Sequence, residues 1–527
     1  MAQPRNVLLG SLIIVMFVIS YTSANNILVN PMIGKGSHFY TSAAIGEQLI
    51  HRGYNVTFLL GSAFENHARS SRYGHMFHWE VFKHPIPTQA VHDMFANLSK
   101  LISDSARDVK YELPVQSVLQ EARLNDCRAL LEDEALIGRL RAANFSAVLF
   151  DYTWVCGAMV GELLDLPYFV FFMFPYSCHV TSIEGSSFHP AYIPSMMTSY
   201  SNKMNFKERV INSLVYTLLE KILVPNLVAP YKELTLRFGI PDPLELLTNS
   251  KLWLVNSDFV GEFPCAFAPN VIQVGGLTTR AAEELPADIE DFIQGSGDDG
   301  IIICAFGTFL ILDDSNLHVI RIFAEAFDRL PQRVIWLLKT PPPFPIPANI
   351  KILPWLPQND ILGHPQTRAL FFHGGQNSYY EAIYHGVPVV VMPIFGDQND
   401  IATRIVHHGL GLKLDKGFMN AENLYDALHE VTTNATYTKT AKRMSSAFQD
   451  RPMRPAERAA FWIDHALKHG TNNLEIPVHT LNPFQYYLID VISFILVVVF
   501  FFFYIVFKCC MLICSKACNC YIKSKID

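Results

Sequence analysis

Two parallel-sheet α/β domains followed by one membrane-spanning helix are what this sequence predicts. Three observations carry the prediction. Short apolar strands alternate with helical segments in both halves, the pattern of βαβ units. A polar, acidic stretch, Gly275 to Asp299, with Gly295-Ser296-Gly297 near its end, divides the two sets. Val491 to Phe507 is almost wholly apolar. The chain has 527 residues, of which 50% are hydrophobic and 12% aromatic, enough for two domains with real cores. A net charge of −7 leaves no basic footprint for nucleic acid. Charged residues make up only 17% and the mean hydropathy is +0.19, which points to a membrane connection.

Taken in order, Arg5 precedes an apolar run, Val7 to Ile19, and Thr22-Ser23-Ala24 supplies small residues. Residues 1–24 therefore read as a secretory signal peptide cut after Ala24. The first domain is placed at residues 25–280. It opens with a strand, Ile27 to Val29, a turn, Gly34-Lys35-Gly36-Ser37-His38, a helix from Phe39 to Arg52 closed by Gly53, and a strand from Asn55 to Leu60. The Gly-Lys-Gly-Ser-His turn lacks the spacing of a P-loop. Trp79 to Phe82 reads as a strand, and Ser99 to Arg141 as polar helical segments broken at Pro114. Ala147 to Phe150 is a strand ended by Asp151, followed by a helix from Val155 to Leu164 and a strand from Tyr168 to Phe174. His38 and Asp151 thus share one address, beyond the carboxyl ends of strands, where open α/β sheets bind ligands. A lone His is usually structural and Asp often caps helices; the paired address favours chemistry. Pro175 to Asn205 is irregular, and Phe206 to Phe238 reads as a long amphipathic helix, for which ordinary packing is the plain reading. Strands Lys251 to Val255 and Val271 to Val274 close the domain.

The second domain, residues 281–475, begins with a strand from Ile301 to Phe306 that runs into Gly307-Thr308. Strands Arg333 to Leu338 and Asn349 to Leu353 flank a stiff Pro341-Pro342-Pro343 loop. The most informative unit follows: strand Ala369 to Phe372, His373-Gly374-Gly375, helix Asn377 to His385, strand Val389 to Met392. Helix amino termini present unpaired N–H groups and suit phosphate. Gly374 and Gly375 let backbone come close to a ligand. Asn377 and Glu381 are four apart and share a helix face. Further helices are expected near Asp400 to His408, Ala421 to Val431, Tyr437 to Phe448 and Pro455 to His469.

At the carboxyl end, residues 486–507 have the length that spans a bilayer, with Tyr486, Tyr487 and Tyr504 at interfacial positions. Lys508, Lys516, Lys523 and Lys525 mark residues 508–527 as a cytoplasmic tail, which puts the bulk of the chain across the membrane. Cys127, Cys156, Cys178, Cys265 and Cys304 show no metal-site spacing; a disulfide among them is allowed, with its pairing open. Cys509, Cys510, Cys514, Cys518 and Cys520 crowd the tail and suit palmitoylation. Asn55, Asn97, Asn144 and Asn434 begin glycosylation sequons. Asn55 and Asn144 lie beside strands and are expected to be buried, which leaves Asn97 and Asn434 as the better acceptors.

The block from Trp355 to Gln398, WLPQNDILGHP…HGG…EAIYHGVP…DQ, resembles the donor-binding signature of the UDP-glycosyltransferases. It is especially similar to that of the membrane-bound animal UDP-glucuronosyltransferases. The resemblance covers nearly the whole mature chain and implies the GT-B architecture, two facing Rossmann-like domains with the site in the cleft. It implies that Trp355 and Gln358 hold the uracil and that Glu381 accepts hydrogen bonds from the ribose hydroxyls. His373, Asn377 and Ser378, with the Gly375 backbone and the Thr308 hydroxyl, would bind the pyrophosphate, and Asp397 and Gln398 the transferred sugar. Gln376 and Thr308 depart from the family pattern, which favours a smaller residue and a Ser there. His38 would be the catalytic base and Asp151 its orienting carboxylate. The region around 175–238 would shape the acceptor pocket, the last helix would cross back to the first domain, and Lys523 and Lys525 would act as an endoplasmic-reticulum retrieval signal. The implied activity is inverting transfer of glucuronate from UDP-glucuronate to a hydroxyl of a small lipophilic acceptor, with no cofactor and no metal. UDP-glucose as donor is the alternative, and a non-catalytic UDP-sugar-binding scaffold a more remote one. The expected partners are the UDP-sugar, the acceptor and membrane lipid, and no nucleic acid; homo-oligomerisation is compatible with the sequence but not specified by it.

Overall fold

The computed structural model describes residues 25–31, 34–85, 87, 89, 109–174, 181–307, 312 and 316–523, with side chains described outside 109–119, 181–182 and 517–523. The signal-peptide reading, Asn97, Cys178, Thr308 and Lys525 fall outside these residues, and Cys518, Cys520 and Lys523 outside the described side chains. The chain divides into two compact units, Met1–Leu474 and Glu475–Asp527.

The first unit holds two parallel sheets. One contains β1 (Asn26–Asn30), β2 (Asn55–Gly61), β3 (His78–Phe82), β4 (Ala147–Asp151), β5 (Tyr168–Phe172), β6 (Trp253–Val255) and β7 (Val271–Gln273), in the order β3-β2-β1-β4-β5-β6-β7. The other contains β8 (Ile301–Ala305), β9 (Arg333–Leu337), β10 (Ile350–Leu353), β11 (Thr367–Phe372), β12 (Val389–Val391) and β13 (Gly411–Lys413), in the order β10-β9-β8-β11-β12-β13. Each order reverses once, between β1 and β4 and between β8 and β11. These are the switch points where loops at the carboxyl ends diverge and leave a crevice.

The strands form because both faces are covered by helices. β4 (AVLFD), β5 (YFVFF) and β8 (IIICA) are buried throughout, the continuous apolar run of a parallel strand packed on both sides. α1 (Gly36–His51) connects β1 to β2. Its side chains Phe39, Ala43, Ile45 and Leu49 join a core with Ile27, Val29, Val56 and Phe58. α2 (Val109–Leu131) runs through Pro114, so the expected break there is absent. Proline lacks only one donor, and the chain instead turns at Asp133, whose side chain caps the helix starting at Glu134. α3 (Cys156–Leu163) follows β4, and a disulfide joins Cys127 of α2 to Cys156. The expected helix from Phe206 to Phe238 is one helical run with a local widening: α4 (Phe206–Leu218), a π turn at Leu219–Leu223, then shorter α and 3₁₀ segments to Phe238.

In the second sheet, α5 (Gln376–His385) follows β11, and α6 (Gln398–His408) follows β12 and leads into β13, a short strand the sequence reading missed. α7 (Pro455–His469) returns to the first sheet, as the resemblance implied. Its Ala459, Ala460 and Ile463 lie in the same core as β1 and α1. Tyr54 Oη donates to Asp464 Oδ1 (2.8 Å) and Arg52 Nη1 to Asp464 Oδ2 (3.3 Å), fastening the return.

The second unit is dominated by α8 (Ile489–Lys523), 35 residues long. Its segment Ile489–Lys516 has a mean hydropathy of 2.8, long and apolar enough to cross a membrane. The helix begins later than the expected residue 486, because Leu488 has φ +53° and separates α8 from the short helix Pro483–Tyr486. Asn55 and Asn144 are exposed, which corrects the expected burial: each lies at a strand approach facing solvent. Asn434 is exposed too, but its side chain accepts from Thr436 N (3.0 Å) and donates to Glu430 (2.8 Å).

Candidate active site

The switch point of the first sheet places two residues. β1 leads into α1, whose third residue is His38; β4 ends on Asp151. Because β1 and β4 are neighbours, the two side chains meet, and His38 Nδ1 forms a very short contact with Asp151 Oδ2. Asp151 is fully buried, and its other oxygen, Oδ1, accepts from Thr153 N (2.9 Å) and Thr153 Oγ1 (2.6 Å). Burial alone would raise this carboxyl. The His38 imidazole and the two Thr153 donors outweigh it and hold Asp151 below the usual carboxylate range, so it is a fixed negative charge. With Nδ1 committed to Asp151, Nε2 is the nitrogen left for substrate.

The switch point of the second sheet supplies the facing wall. β8 runs into Gly307 and β11 into His373-Gly374-Gly375, after which α5 starts. His373 fits only because its neighbours are glycine: a Cβ on Gly375 would lie 2.7 Å from His373 Nε2, and one on Gly307 2.9 Å from Cε1. Gly374 has φ +92°, which glycine adopts without strain. Burial pushes the His373 imidazole down to about 4, partly offset by the Ala305 carbonyl, so it is neutral in this state.

Glu381, one turn into α5, is buried and forms the centre of a small network. Gln358 Nε2 donates to Glu381 Oε2 (2.8 Å) and Ser378 Oγ (2.9 Å), and Thr278 Oγ1 donates to Glu381 Oε1 (2.9 Å). Burial raises Glu381 to about 7 against the opposing pull of those two donors. Trp355 stands beside this network on the turn before Gln358, with 62% of its surface exposed, so a flat ring can lie on the indole. Asp397 precedes α6 and is raised to about 7 by burial and by the Asp400 carboxylate; His38 is near enough to lower it. Gln398 Oε1 accepts from Ile394 N (2.8 Å) and Phe395 N (3.2 Å), which shapes the loop entering α6.

The two walls touch at the amino end of α5. Asn377 Nδ2 donates to Thr41 Oγ1 on α1 (3.1 Å), and Asn256 Nδ2 donates to Asn377 Oδ1 (3.3 Å). The structure therefore brings His38, Asp151, Asn377 and Asp397 to one cleft, with Gln358, Ser378 and Glu381 one helical turn along. Sequence reasoning missed Thr41, Thr153, Thr278 and Asn256. Thr41 carried a signal, since it follows His38 by three residues on one helix face; Thr278 and Asn256 carried none.

The profile of the family described as UDP-glucoronosyl and UDP-glucosyl transferase matches residues 25–524. UDP-glucuronosyltransferase 2B1 of Rattus norvegicus is 33% identical over 512 residues, 93% of this chain and 94% of that one. UDP-glucuronosyltransferase 2A1 of Mus musculus is 31% identical over 535 residues, 99% of this chain and all of the other. Among solved structures, the calicheamicin glycosyltransferase CalG4 superposes with a TM-score of 0.54 at 18% identity, covering 84% of this chain and 98% of that chain, a likeness of fold. The two-sheet GT-B fold and the sequence match over its length make this chain a member of the UDP-glucoronosyl and UDP-glucosyl transferase family.

Proposed function

We propose that this protein is a membrane-anchored UDP-glucuronosyltransferase that transfers glucuronate to a hydroxyl of a small lipophilic acceptor with inversion at the anomeric carbon. The observation that carries the reading is the His38–Asp151 pair placed opposite the amino end of α5. A hydroxyl is a poor nucleophile while protonated. His38 Nε2 takes the proton as the hydroxyl oxygen attacks the anomeric carbon. The bond from that carbon to the diphosphate oxygen breaks, and UDP leaves with the electron pair. Asp151 holds the ring through Nδ1 and stabilises the imidazolium, as the carboxylate of a catalytic triad does. Charge on the departing diphosphate is met by the amino end of α5 together with Asn377 and the Gly375 amide. Trp355 and Gln358 take the uracil, Glu381 the ribose hydroxyls, and Asp397 and Gln398 the sugar hydroxyls. Thr308, after β8, would add a hydroxyl donor to the phosphate.

Glucuronate is favoured over glucose by the relatives, which carry UDP-glucuronosyltransferase names. The apolar α8 supports a single-pass anchor; retention in the endoplasmic reticulum with the catalytic unit lumenal is the placement that fits the basic tail. The test is product mass after membranes bearing the protein receive a phenol panel with UDP-glucuronate or UDP-glucose. A glucuronosyl adduct supports the reading; a hexosyl adduct changes the donor and keeps the chemistry; no product with either, despite UDP binding, favours the scaffold.

A further inference from the structure

Residues 190–199 form a strap between the two walls of the cleft, and its two ends are fastened to helices of different domains. The near end is splinted by Asn212 of α4, which is fully buried. Asn212 Nδ2 donates to the carbonyls of Pro190 (2.8 Å) and Ile193 (2.9 Å), and its Oδ1 accepts from Ser195 N (2.6 Å). Ser195 Oγ donates back to the Asn212 carbonyl (3.1 Å). The far end is clasped by α6. Asp400, buried, accepts from Met197 N through Oδ2 (2.7 Å) and from Ser199 N through Oδ1 (2.9 Å). Thr403 Oγ1 donates to the Ser199 carbonyl (3.1 Å).

The strap's backbone is bent to fit the clasp. Met197 has φ +68° and Ser199 has φ +55°, the left-handed region that residues other than Gly, Asn and Asp rarely enter. Such conformations persist where the surroundings over-determine them. The two strained residues are the two whose amides Asp400 holds, one on each carboxylate oxygen. Met197 is 49% exposed, so the strap can open without unpacking a core. A second contact, one turn along α6, is of another kind. Arg404 forms an ion pair with Glu262, which follows β6 and also accepts from Gln376 Nε2 (3.1 Å) and Tyr380 Oη (3.3 Å) of α5. All four of these residues are buried, so this pin holds while the strap opens.

The clasp joins the two sides of the chemistry. The chain that leads to the strap leaves β5 at Phe174, whose ring stands edge-on to the His38 imidazole with centroids 6.2 Å apart. Asp400 is the third residue of α6, just behind Asp397 and Gln398. We infer that Asp400 is a positioning residue for the transfer: by clasping the strap it sets the sugar-holding start of α6 against the side of the cleft where His38 meets the hydroxyl, and a bound sugar in turn tightens the clasp. This rests on the reading that Asp397 and Gln398 hold the transferred sugar. The second half follows from the first, because a coupling between two binding events acts equally in both directions. UDP alone, held along α5 and Trp355, leaves the start of α6 unfilled and does not tighten the strap.

The test uses the full chain in nanodiscs. Hydrogen exchange at the Met197 and Ser199 amides is read in the empty protein, with UDP, and with UDP-glucuronate or UDP-glucose. Exchange is expected to slow about threefold with the UDP-sugar that binds and to stay unchanged with UDP. In Asp400→Asn one acceptor oxygen faces two N–H groups, so exchange there is fast with or without the sugar. The variant's UDP affinity stays, its UDP-sugar affinity falls by the same factor of about three, and its kcat falls about tenfold. Thr403→Val loosens the strap and leaves the charge beside Asp397 in place. It is expected to shift exchange and kcat in the same direction by a smaller factor, and it carries the test if Asp400→Asn does not fold. Exchange that ignores a UDP-sugar shown by calorimetry to be bound overturns the inference, as does equal slowing by UDP alone. Fast exchange in Asp400→Asn with kcat kept makes the clasp a structural tie and overturns it too. Binding of UDP but of neither UDP-sugar overturns the donor reading and takes the inference with it.

Discussion

At the scale of single residues, the proposed mechanism divides a base from the groups that would hold the donor, and substitutions should separate them too. His38→Ala removes the proton acceptor and leaves the walls around Glu381 and Asn377 intact. Turnover is expected to fall by about 10²- to 10⁴-fold, the usual worth of a general base. UDP affinity, read by calorimetry, should stay within about twofold, since the proposed mechanism puts His38 on the acceptor side of the transferred sugar. Comparable losses in both quantities would show that His38 holds the donor instead. Glu381→Ala predicts the opposite split. It strips the carboxylate from the Gln358–Thr278 network, so the KM for the UDP-sugar rises strongly while the acceptor dependence changes little. His38 and Asp151 were legible in the sequence because each lies beyond a strand of a βαβ unit, at an edge of the same crevice. Thr153 was not, because a Thr two residues past an Asp has no periodic signal; only the folded turn shows both its N–H and its hydroxyl aimed at one carboxylate oxygen.

At the scale of elements, the turn from β4 to α3 is the device that keeps Asp151 aimed. Thr153 donates twice to Asp151 Oδ1, and its own carbonyl accepts from Arg123 Nη1 (3.1 Å) on α2. Trp154 Nε1 donates to the Arg123 carbonyl (3.1 Å), and the Cys127–Cys156 disulfide ties the same two elements. Thr153 is therefore a positioning residue, and Thr153→Val should lower kcat about tenfold with the donor KM unchanged, while Thr153→Ser restores it, a lost charged-group hydrogen bond being worth roughly 1.5–3 kcal/mol. The acid limb of the pH–rate profile should move upward in Thr153→Val, because a carboxylate relieved of a donor binds the imidazolium more tightly. An unmoved profile with a lowered Tm would reduce Thr153 to a structural role. The glycine turn after β11 makes a parallel case. Gly375→Ala sets a methyl 2.7 Å from His373 Nε2, so it should weaken UDP binding by displacing that ring. Most strands and helices were readable from hydrophobic runs and terminal glycines. Two of the exceptions have physical reasons: β13 is three residues of which only Gly411 is buried, and Pro114 sits in a helix that tolerates the loss of one donor.

At the scale of the whole molecule, the pH dependence of stability reports on the buried Glu381 network through a comparison of variants. Glu381 is raised from its ordinary 4.5 to about 7 by burial. Between those values the folded state keeps a proton that the unfolded chain has released, so this group's contribution to stability falls as pH rises through the window. Asp397, raised from 3.8 to about 7, acts in the same direction. Three partly buried histidines act in the other. His373, His385 and His408 are lowered by burial from 6.5 to about 4, so the unfolded chain binds more protons there, and their contributions rise with pH between about 4 and 6.5. The unaltered protein therefore shows only the difference of these terms, and the informative quantity is the comparison with Glu381→Gln, which removes one titration and leaves the histidines. The variant should gain stability relative to the parent as pH climbs from 5 to 8, by on the order of 3 kcal/mol across the whole window. Saturating UDP should shrink that gain, because ribose hydroxyls bonded to the carboxylate favour its charged form and lower Glu381 in the complex. Denaturation of both proteins at matched pH, with and without UDP, measures all four curves; parallel curves for parent and variant without UDP would mean that Glu381 is already ionised in the folded protein.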